Sequence, residues 1–492
     1  MRTIDKPCPT ALGENDTNPY PETTSQSYTI KVITPLFGGG VEAGINDPVT
    51  LIRPSSIRGH LRFWWRATRG ACCSSVAELR QREGEIWGTT DNPSPVILQV
   101  KIVGKQAPIP CACYEWNTDK SRYNLRWHSS LSGFNSALPY ALFPFQGTPP
   151  DKKDPKEAAK MVESAEFELT ILFPTPERMI CLRSVFNKQR KKLELTLLDQ
   201  HHDEIQKDIE AAVWAWVNFG GIGARTRRGC GALYCEGLAP PSANAIDNWV
   251  RIKAQNYDFP LSGNSSTNYR DWPTFPKTLC LKNVTGEAIE GWREAIRWLK
   301  QFRQGEGYGR DPQPGNTPGR SRWPEPESIR ELICQQRGLR FRPHSWHGRD
   351  LRIPTEYFPR AEFGLPIVFE IKGERVPGGH GNESIKPTLQ YSGDVDRMAS
   401  PLLFRPMCFN DGSTVAMIAV LNTAPLESAY LKQGKHDLTK DVSFTAVQIR
   451  NSCLNAYPDS PLTSRSACGS ALEAFIAFIQ EREQGFIKEY PL

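Results

Sequence analysis

A helix with two unlike faces is encoded by the stretch Arg53-Pro-Ser-Ser-Ile-Arg-Gly-His-Leu-Arg-Phe-Trp-Trp-Arg-Ala-Thr-Arg69. The proline and the two serines near its start are typical of a helix N-terminus, so a helix is predicted over 57–69. With about 100° between successive residues, one side of this helix is mainly apolar. Its members are Ile57, Leu61, Trp64 and Thr68. Trp64 and Trp65 could stack on nucleobases, but both are expected in the core.

Another side of the same helix is basic and is interrupted by no acidic residue of its own. Its members are Arg58, Arg62, Arg66 and Arg69. The first three could follow a phosphate backbone. The alternative is a solvated basic face, paired in part with acidic residues elsewhere in the chain.

The predicted helix is the second of six elements in the first half of the chain. A strand over 28–37 alternates apolar and polar residues and precedes it, and strands over 95–103 and 166–173 follow. A second amphipathic helix covers 203–218, and a short strand covers 232–236. The order strand, helix, strand, strand, helix, strand predicts a ferredoxin-like (βαββαβ, RRM-like) unit with two helices on one face of an antiparallel sheet.

The domain organisation is predicted from breaks in this pattern. A polar segment, 1–27, precedes a first ferredoxin-like domain over 28–240, which contains an insertion at about 104–165. After a proline-rich boundary, 245–492 repeats the theme in a degenerate form, with loops rich in Gly and Pro. The fold class is therefore α+β, with two tandem ferredoxin-like domains and long loop insertions.

Composition and charge exclude several classes of protein. The 492 residues carry a formal net charge of only +6, which alone does not indicate a nucleic-acid partner. The 13 cysteines show no zinc-ligand spacing and are expected to be free thiols. No apolar run reaches the roughly 18 residues that span a bilayer, and the N-terminus lacks a signal-peptide pattern. We expect a cytoplasmic protein without a membrane segment.

A glycine-rich segment of 219–231 is the most informative motif: Phe219-Gly-Gly-Ile-Gly-Ala-Arg-Thr-Arg-Arg-Gly-Cys-Gly231. It is neither a Walker A loop nor a dinucleotide fingerprint, because it follows a helix and precedes a strand. Its glycine amides are expected to form an anion-binding nest at Gly220, Gly221 and Gly223. Its arginines are expected to bind phosphate oxygens: Arg225, Arg227 and Arg228. The alternative is a tight turn whose arginines are only solvated.

Evidence for catalysis is thin in this sequence. It contains no HExxH, triad or paired-acid motif, so no catalytic residue, metal ligand or cofactor is assigned. His60 and His128 lie near the expected basic surface and could serve a metal-independent ribonuclease as acid and base. A lone histidine in such a position is more often structural than catalytic.

Several segments together resemble the RAMP superfamily of CRISPR proteins, and more narrowly the first RAMP subunit of the type III-B (Cmr) effector complex. In the first half these are Ile33-Thr-Pro-Leu-Phe-Gly-Gly-Gly40, the stretch from Ile52 to Arg66 and the glycine-rich segment. In the second half they are 318–330, 363–369 and 397–404. The resemblance implies two tandem ferredoxin-like domains and a place in a ribonucleoprotein, near the 3′ end of the guide RNA. It also implies that target cleavage belongs to a neighbouring subunit.

The resulting hypothesis is a non-catalytic RNA-binding subunit for antiviral defence, with guide RNA, target RNA and other RAMP subunits as partners. Guide–target pairing would read the sequence, while the arginines hold phosphates. In a ferredoxin-like unit the two predicted basic sites can lie near one sheet edge and form one surface. Two alternatives remain: a RAMP-type endoribonuclease that processes guide precursors, and a structural end-cap whose basic face binds an acidic subunit.

Overall fold

The computed structural model describes most of the chain, in these ranges: 23–39, 45–47, 50–90, 94–133, 136–174, 195–261, 270–304, 323–326, 328–329, 332, 358–370, 386–392, 397–432, 440–443, 462 and 470–482. The α-helices whose bounds the structure gives are α1 (Pro54–Ala67), α2 (Val76–Trp87), α3 (Leu138–Leu142), α4 (Leu195–Phe219), α5 (Ile246–Asn256), α6 (Ala288–Gln304) and α7 (Ala471–Arg482). None of the helices in these ranges is both long and apolar enough to cross a membrane. The predicted N-terminal segment up to residue 22 lies outside the described residues.

The strands form several small antiparallel sheets. In the first part of the chain they are β1 (Thr23–Val32), β2 (Leu36–Phe37), β3 (Ile97–Lys105), β4 (Ile109–Pro110), β5 (Ala112–Asn117), β6 (Arg122–Trp127), β7 (Lys160–Val162), β8 (Ala165–Pro174) and β9 (Leu233–Tyr234). In the second part they are β10 (Thr274–Val284), β11 (Ile367–Val368), β12 (Thr388–Tyr391), β13 (Leu402–Cys408), β14 (Thr414–Asn422), β15 (Ser428–Lys432) and β16 (Lys440–Ser443).

The main sheet of the first part has the order β3-β8-β1-β9, and its chain order with α1 and α4 is the one expected from periodicity. Alternating residues of β1 and β8 point inward, with Ile30 opposite Phe167 across the ladder. Both are buried with the apolar side of α1 and with Trp216 of α4. Trp64 and Trp65 are 2% and 0% exposed, so their predicted place in the core is confirmed.

The outward face of this sheet is polar along its two central strands. Lys31 of β1 lies opposite Glu166 of β8, and the Ser27 and Thr170 hydroxyl groups are 2.9 Å apart. RNA-binding sheets of the RRM type stack bases on aromatic residues at this place. The two central strands, as described, present hydroxyls, lysine and glutamates on this face instead of such an aromatic platform.

One helix of the first part was not expected from the sequence. Helix α2 follows α1 after a short 3₁₀ turn, Arg69–Cys72, and starts at Ser75, whose hydroxyl accepts a hydrogen bond from the Glu78 amide at 3.2 Å. This Ser-x-x-Glu pattern is a capping box. Helix α2 brings Glu83 beside α1, which changes the basic face described below.

The second part contains a three-stranded sheet of order β10-β14-β13, with α6 between β10 and β13 along the chain. Trp292, Ile296 and Leu299 of α6 are buried, at the spacing of one face of a helix. A separate four-stranded sheet has the order β11-β12-β15-β16. This second sheet was not expected, since the sequence predicts a single degenerate ferredoxin-like unit over 245–492. A mixed fold of helices and small antiparallel sheets is thus established.

The insertion expected at 104–165 is a structured unit packed between the two parts. It contributes β4 and β7 to a three-stranded sheet with β2, and the hairpin β5–β6. Phe145 stacks on Phe37 with ring centroids 4.5 Å apart. Leu138 and Leu142 of α3 are buried in the same apolar cluster as Trp292 of α6. The insertion therefore has a fixed position relative to both sheets.

A buried carboxyl group, Glu362, lies at the N-terminus of α7. Its Oε2 accepts hydrogen bonds from the amides of Ala471 at 2.6 Å and Leu472 at 3.2 Å. Its exposure is 8%. Burial raises the pKa of Glu362 to about 7, against the effect of the two amides, with Glu473 raising it further and Lys277 lowering it. The folded state therefore holds this proton to a higher pH than the unfolded chain does.

We expect the pH dependence of stability to change in the variant Glu362→Gln. Because the folded pKa lies above the unfolded value, the stabilisation is complete below about pH 4.5 and is lost as pH rises towards 7. Between pH 5 and 7 the wild type should lose about 2 kcal/mol relative to Glu362→Gln, whose neutral amide keeps an acceptor for the helix. Urea unfolding at pH 5, 6 and 7 measures the difference. Parallel curves for the two proteins would contradict this expectation.

Candidate functional site

The glycine-rich loop connects α4 to β9 and is tightly packed against backbone. A Cβ atom added at Gly231 would lie 1.9 Å from the carbonyl oxygen of Ile222, and one at Gly223 would lie 2.5 Å from that of Phe37. Gly223, Gly229 and Gly231 have φ values of +85°, +86° and +62°, which favour glycine. These glycines are required by the close approach of the loop to its neighbours.

Several amides of the loop already donate to protein carbonyls. The Gly220 amide donates to Trp216 O at 2.9 Å, and the Ala224 amide donates to Phe37 O at 2.7 Å. A Cβ at Gly221 would lie 2.9 Å from Gly231 O. The Gly220 amide therefore already donates to a protein carbonyl. Close packing explains why glycine is needed at positions 221 and 223, with no ligand required. Sequence could not separate the two roles, because a glycine needed for packing and one needed for an anion look alike.

The three loop arginines are presented at the junction between the two parts of the chain. Arg225 has a left-handed conformation with φ 57° and starts the 3₁₀ turn Thr226–Arg228. Arg227 donates to Ser400 O, and its Cζ lies 5.4 Å from the centre of the Phe63 ring. Arg228 lies 5.0 Å from the Phe404 ring, and its carbonyl accepts from Trp292 Nε1 at 2.6 Å.

These three arginines and Arg303, at the end of α6, form a group of positive charges without a neighbouring described carboxylate. Burial lowers the pKa of Arg225, Arg227 and Arg228, in the last case to about 10, with Arg303 and Arg225 adding like-charge repulsion. Buried Nε of Arg225 and Nη1 of Arg228 have no hydrogen-bond partner among the described residues. No ion pair with a described carboxylate reaches any of the four. We call these four residues the arginine cluster.

The basic face of α1 differs from the expectation, because an acidic residue of α2 reaches it. Glu83, which is 6% exposed, accepts hydrogen bonds from Arg62 Nε at 2.6 Å and Arg66 Nη1 at 2.7 Å. Arg58 donates to Val96 O at 3.0 Å. Burial and the neighbouring Arg62 lower the pKa of Arg58. Arg62 and Arg66 are therefore paired with an acidic residue from elsewhere in the chain, as the alternative interpretation expects. The face still carries three arginines against one glutamate, so its charge remains positive.

Arg69 does not lie on this face, and the prediction that placed it there is wrong. The helix ends at Ala67, and Arg69 turns inward from the following 3₁₀ turn. Its side chain is 6% exposed, and its Nε donates to Asp208 Oδ1 at 2.6 Å. Arg69 therefore forms a buried ion pair and is not part of the basic surface.

The two basic sites adjoin at Phe63 of α1. Arg227 lies over the Phe63 ring, and a Cβ at Gly220 would lie 2.5 Å from Trp64 Nε1. The loop thus packs on the C-terminal half of α1. A shallow cavity of about 850 Å³ opens on the other flank of α1, between Arg58, Arg62 and Arg80.

The two histidines considered for acid–base chemistry differ in their surroundings. Burial lowers the pKa of His60 to about 4, and its ring stacks on Trp216 at 6.3 Å. His128 Nδ1 lies 2.9 Å from Ser130 Oγ and 3.6 Å from Glu163 Oε1. Across the described ranges, no three His, Cys, Asp or Glu side chains are grouped as a metal site would need.

Comparison with known protein families identifies the first part of the chain. Residues 29–234 match the family model of the RAMP superfamily. This segment is similar to the RAMP superfamily, and it is called the RAMP domain below. The RAMP domain includes α1, the insertion and the glycine-rich loop, so the resemblance found in the sequence motifs is confirmed. A curated relative, the CRISPR system Cmr subunit Cmr1-2 of Pyrococcus furiosus, is 24% identical over 213 residues, which are 43% of this chain and 95% of that protein.

Solved structures similar to the whole chain also come from Cmr systems. The crystal structure of Cmr1 from Pyrococcus furiosus in its apo form has a TM-score of 0.47 and 12% identity, and covers 95% of this chain and 98% of that one. A subunit of type III-B Cmr-beta bound to cognate target RNA has a TM-score of 0.41 and 13% identity, with 93% and 100% covered.

Proposed function

We propose that the chain is a non-catalytic RNA-binding subunit of a type III-B CRISPR ribonucleoprotein that acts in antiviral defence. In this proposal it contacts guide RNA near its 3′ end, and target RNA, through phosphate-backbone contacts. Other RAMP subunits of the complex are its protein partners. The RAMP match and the Cmr1 relative support the class of complex, and the side chains of the RAMP domain support the mode of binding.

The arginine cluster is the observation that carries the proposal. Guanidinium groups that are partly buried and lack a carboxylate are costly, since desolvation of the charge is not offset by a partner. Phosphate oxygens fit the planar donors of arginine and supply the missing negative charge. Neither Arg225 nor Arg228 has such a partner in the described part of the chain. An RNA backbone at the junction would provide several.

The basic face of α1 supports a second, weaker contact. Glu83 fixes Arg62 and Arg66 side by side and neutralises about one of their charges. The side chains of Arg62 and Arg66 remain 42% and 33% exposed, so donors stay available at the surface. Arg58, Arg62 and Arg66 would then position the RNA on the side of α1, next to the loop.

The proposed fold is a tandem of two ferredoxin-like units. In the first part the sheet order and both helices support it. In the second part, β10, α6, β13 and β14 follow in the order of the first four elements of such a unit. The buried Arg405 and the glycine-rich loop then lie where the two units meet.

The proposal of a non-catalytic subunit rests on the state of the histidines. With a pKa of about 4, His60 is neutral at pH 7 and is a poor proton donor. His128 is bonded to Ser130 and adjoins Glu163, at the edge of the insertion. These observations give no support to a pair of acid and base facing one 2′-hydroxyl group.

The test is a titration of single-stranded RNA with the full chain, followed by fluorescence anisotropy at several salt concentrations. The double variant Arg225→Ala/Arg228→Ala should bind about tenfold more weakly, for all sequences alike, and its salt dependence should flatten by about one counterion. The triple variant of Arg58, Arg62 and Arg66 should show a smaller loss in the same direction.

A matched control is Arg126→Ala/Arg251→Ala, since these two arginines are 65% and 52% exposed and lie outside both sites. It should bind RNA as the wild type does. Equal affinity and slope for wild type and Arg225→Ala/Arg228→Ala would reject the RNA site. RNA recovered after the titration should be intact with and without EDTA, and specific cleavage would reject the non-catalytic assignment.

A further inference from the structure

Phe143 is an exposed aromatic residue in a rigid setting. It starts the 3₁₀ turn Phe143–Phe145 of the insertion, directly after α3, and its exposure is 59%. Two residues later, Phe145 is buried and stacks on Phe37 of β2. On the other side, Leu142 is fully buried. The backbone around Phe143 is therefore fixed from both ends, while its ring faces solvent at an energetic cost.

The ring of Phe143 lies at the edge of the arginine cluster. Its centre is 6.0 Å from Cζ of Arg225, whose Nε lacks a partner among the described residues. Tyr140, three residues before Phe143 on α3, is close enough to Arg228 to affect its pKa. An apolar surface and guanidinium groups without a carboxylate are thus presented side by side.

Trp116 provides a contrast within the same insertion. It is the other aromatic residue among the large apolar side chains that are exposed in the described ranges, at 53%. Its ring packs on Tyr123 across the hairpin β5–β6, with centroids 5.0 Å apart. No contact of Trp116 with the arginine cluster is found. Exposure alone therefore does not distinguish Phe143, but its position beside unpaired cations does.

We propose that Phe143 stacks on a base of single-stranded RNA whose backbone phosphates are held by the arginine cluster. This inference rests on the function proposed above and assigns a role in binding to the insertion. A nucleotide carries its base and its phosphate on opposite sides of one sugar, so one short segment of RNA can contact both groups. Base stacking on an aromatic ring tolerates any sequence, which suits a subunit that binds guide and target RNA of variable sequence.

The experiment compares wild type, Phe143→Ala and Phe143→Trp with two single-stranded RNAs of equal length. One RNA carries all its bases, and the other carries abasic nucleotides throughout its central segment. Phe143→Ala should bind the complete RNA about tenfold more weakly than wild type does, with an unchanged salt dependence, since no phosphate contact is removed. On the abasic RNA the two proteins should bind equally, and Phe143→Trp should retain full affinity for the complete RNA.

Trp116→Ala is the matched control and should bind both RNAs as the wild type does. Because Phe143 is exposed, thermal unfolding should confirm that its variants are folded. Equal affinity of wild type and Phe143→Ala for the complete RNA would overturn the inference while leaving the arginine site intact. An equal loss in Trp116→Ala, or a loss of Phe143→Ala on the abasic RNA, would also overturn it. No RNA binding by the wild type would instead reject the proposed function.

Discussion

Replacing Arg405 with methionine should lower the free energy of unfolding by about 3–5 kcal/mol, because it removes a buried cation from a site built of carbonyl oxygens. Arg405 lies on β13 and is 2% exposed. Its guanidinium donates to three carbonyls of the RAMP domain: Val217 at 2.9 Å, Gly220 at 2.6 Å and Leu233 at 2.6 Å. Burial lowers the pKa of Arg405 to about 9, so it remains charged at pH 7.

The position of Arg405 explains why its loss should be so costly. Val217 lies in the last turn of α4, where backbone carbonyls have no partner within the helix and carry partial negative charge. Gly220 opens the glycine-rich loop and Leu233 begins β9, so one side chain joins the helix, the loop and the strand to the second sheet. Methionine offers no donor to any of the three carbonyls, two of which are in buried contacts with Arg405. The arginine cluster would lose its support at the same time.

Equilibrium urea unfolding measures the loss in the free energy of unfolding. The variant Arg405→Lys tests whether the geometry of the guanidinium group is needed. A lysine ammonium keeps the charge but cannot span three separate acceptors, so we expect an intermediate loss. Arg251→Met is a suitable control, because Arg251 is 52% exposed and its ion pair with a described residue is to Asp247 on its own helix. It should change stability by less than about 0.5 kcal/mol. A loss below about 1 kcal/mol for Arg405→Met would show that the carbonyl contacts do not hold the junction.

The elements of the first part were predictable from sequence because each has one buried face. In β1 and β8, alternation places Ile30 and Phe167 inward, and in α1 the apolar side brings Leu61 and Trp64 into the same core. In these elements the apolar residues recur with the period of a strand or helix because one face is buried. The sequence pattern alone therefore locates them. Helix α4 shows the limit of this approach, since it begins at Leu195 whereas the pattern indicated residue 203.

The chemistry of the candidate site was less predictable, because it depends on partners that are distant in the chain. Glu83 lowers the net charge of the α1 face by pairing with Arg66 and Arg62, which are 17 and 21 residues away in the chain. Arg405 supports the glycine-rich loop across a separation of 185 residues. Phe143 reaches Arg225 through an insertion whose packing no periodicity indicates. The sequence shows which residues carry positive charge, but only the tertiary structure separates paired arginines from unpaired ones.

Asp208 provides the second large expected effect, in the core of the RAMP domain. It is 2% exposed on α4, and its carboxylate accepts a hydrogen bond from Arg69 at 2.6 Å and lies 3.6 Å from Arg82 of α2. Burial raises the pKa of Asp208, and the Arg69 guanidinium opposes that rise. Asp208→Asn preserves the shape of the side chain but leaves Arg69 with one buried carboxylate fewer. We expect a loss of about 3 kcal/mol in urea unfolding.

A double variant separates the charge from the packing at this position. If the cost in Asp208→Asn comes from an uncompensated cation, Arg69→Met/Asp208→Leu should be destabilised by less than the summed losses of Arg69→Met and Asp208→Leu, with a coupling of at least about 1 kcal/mol. Asp151→Asn, at a site 48% exposed, is the control and should stay within about 0.5 kcal/mol of wild type. Strict additivity of the two single changes would mean that Arg69 and Asp208 contribute independently, and would contradict a stabilising ion pair between them.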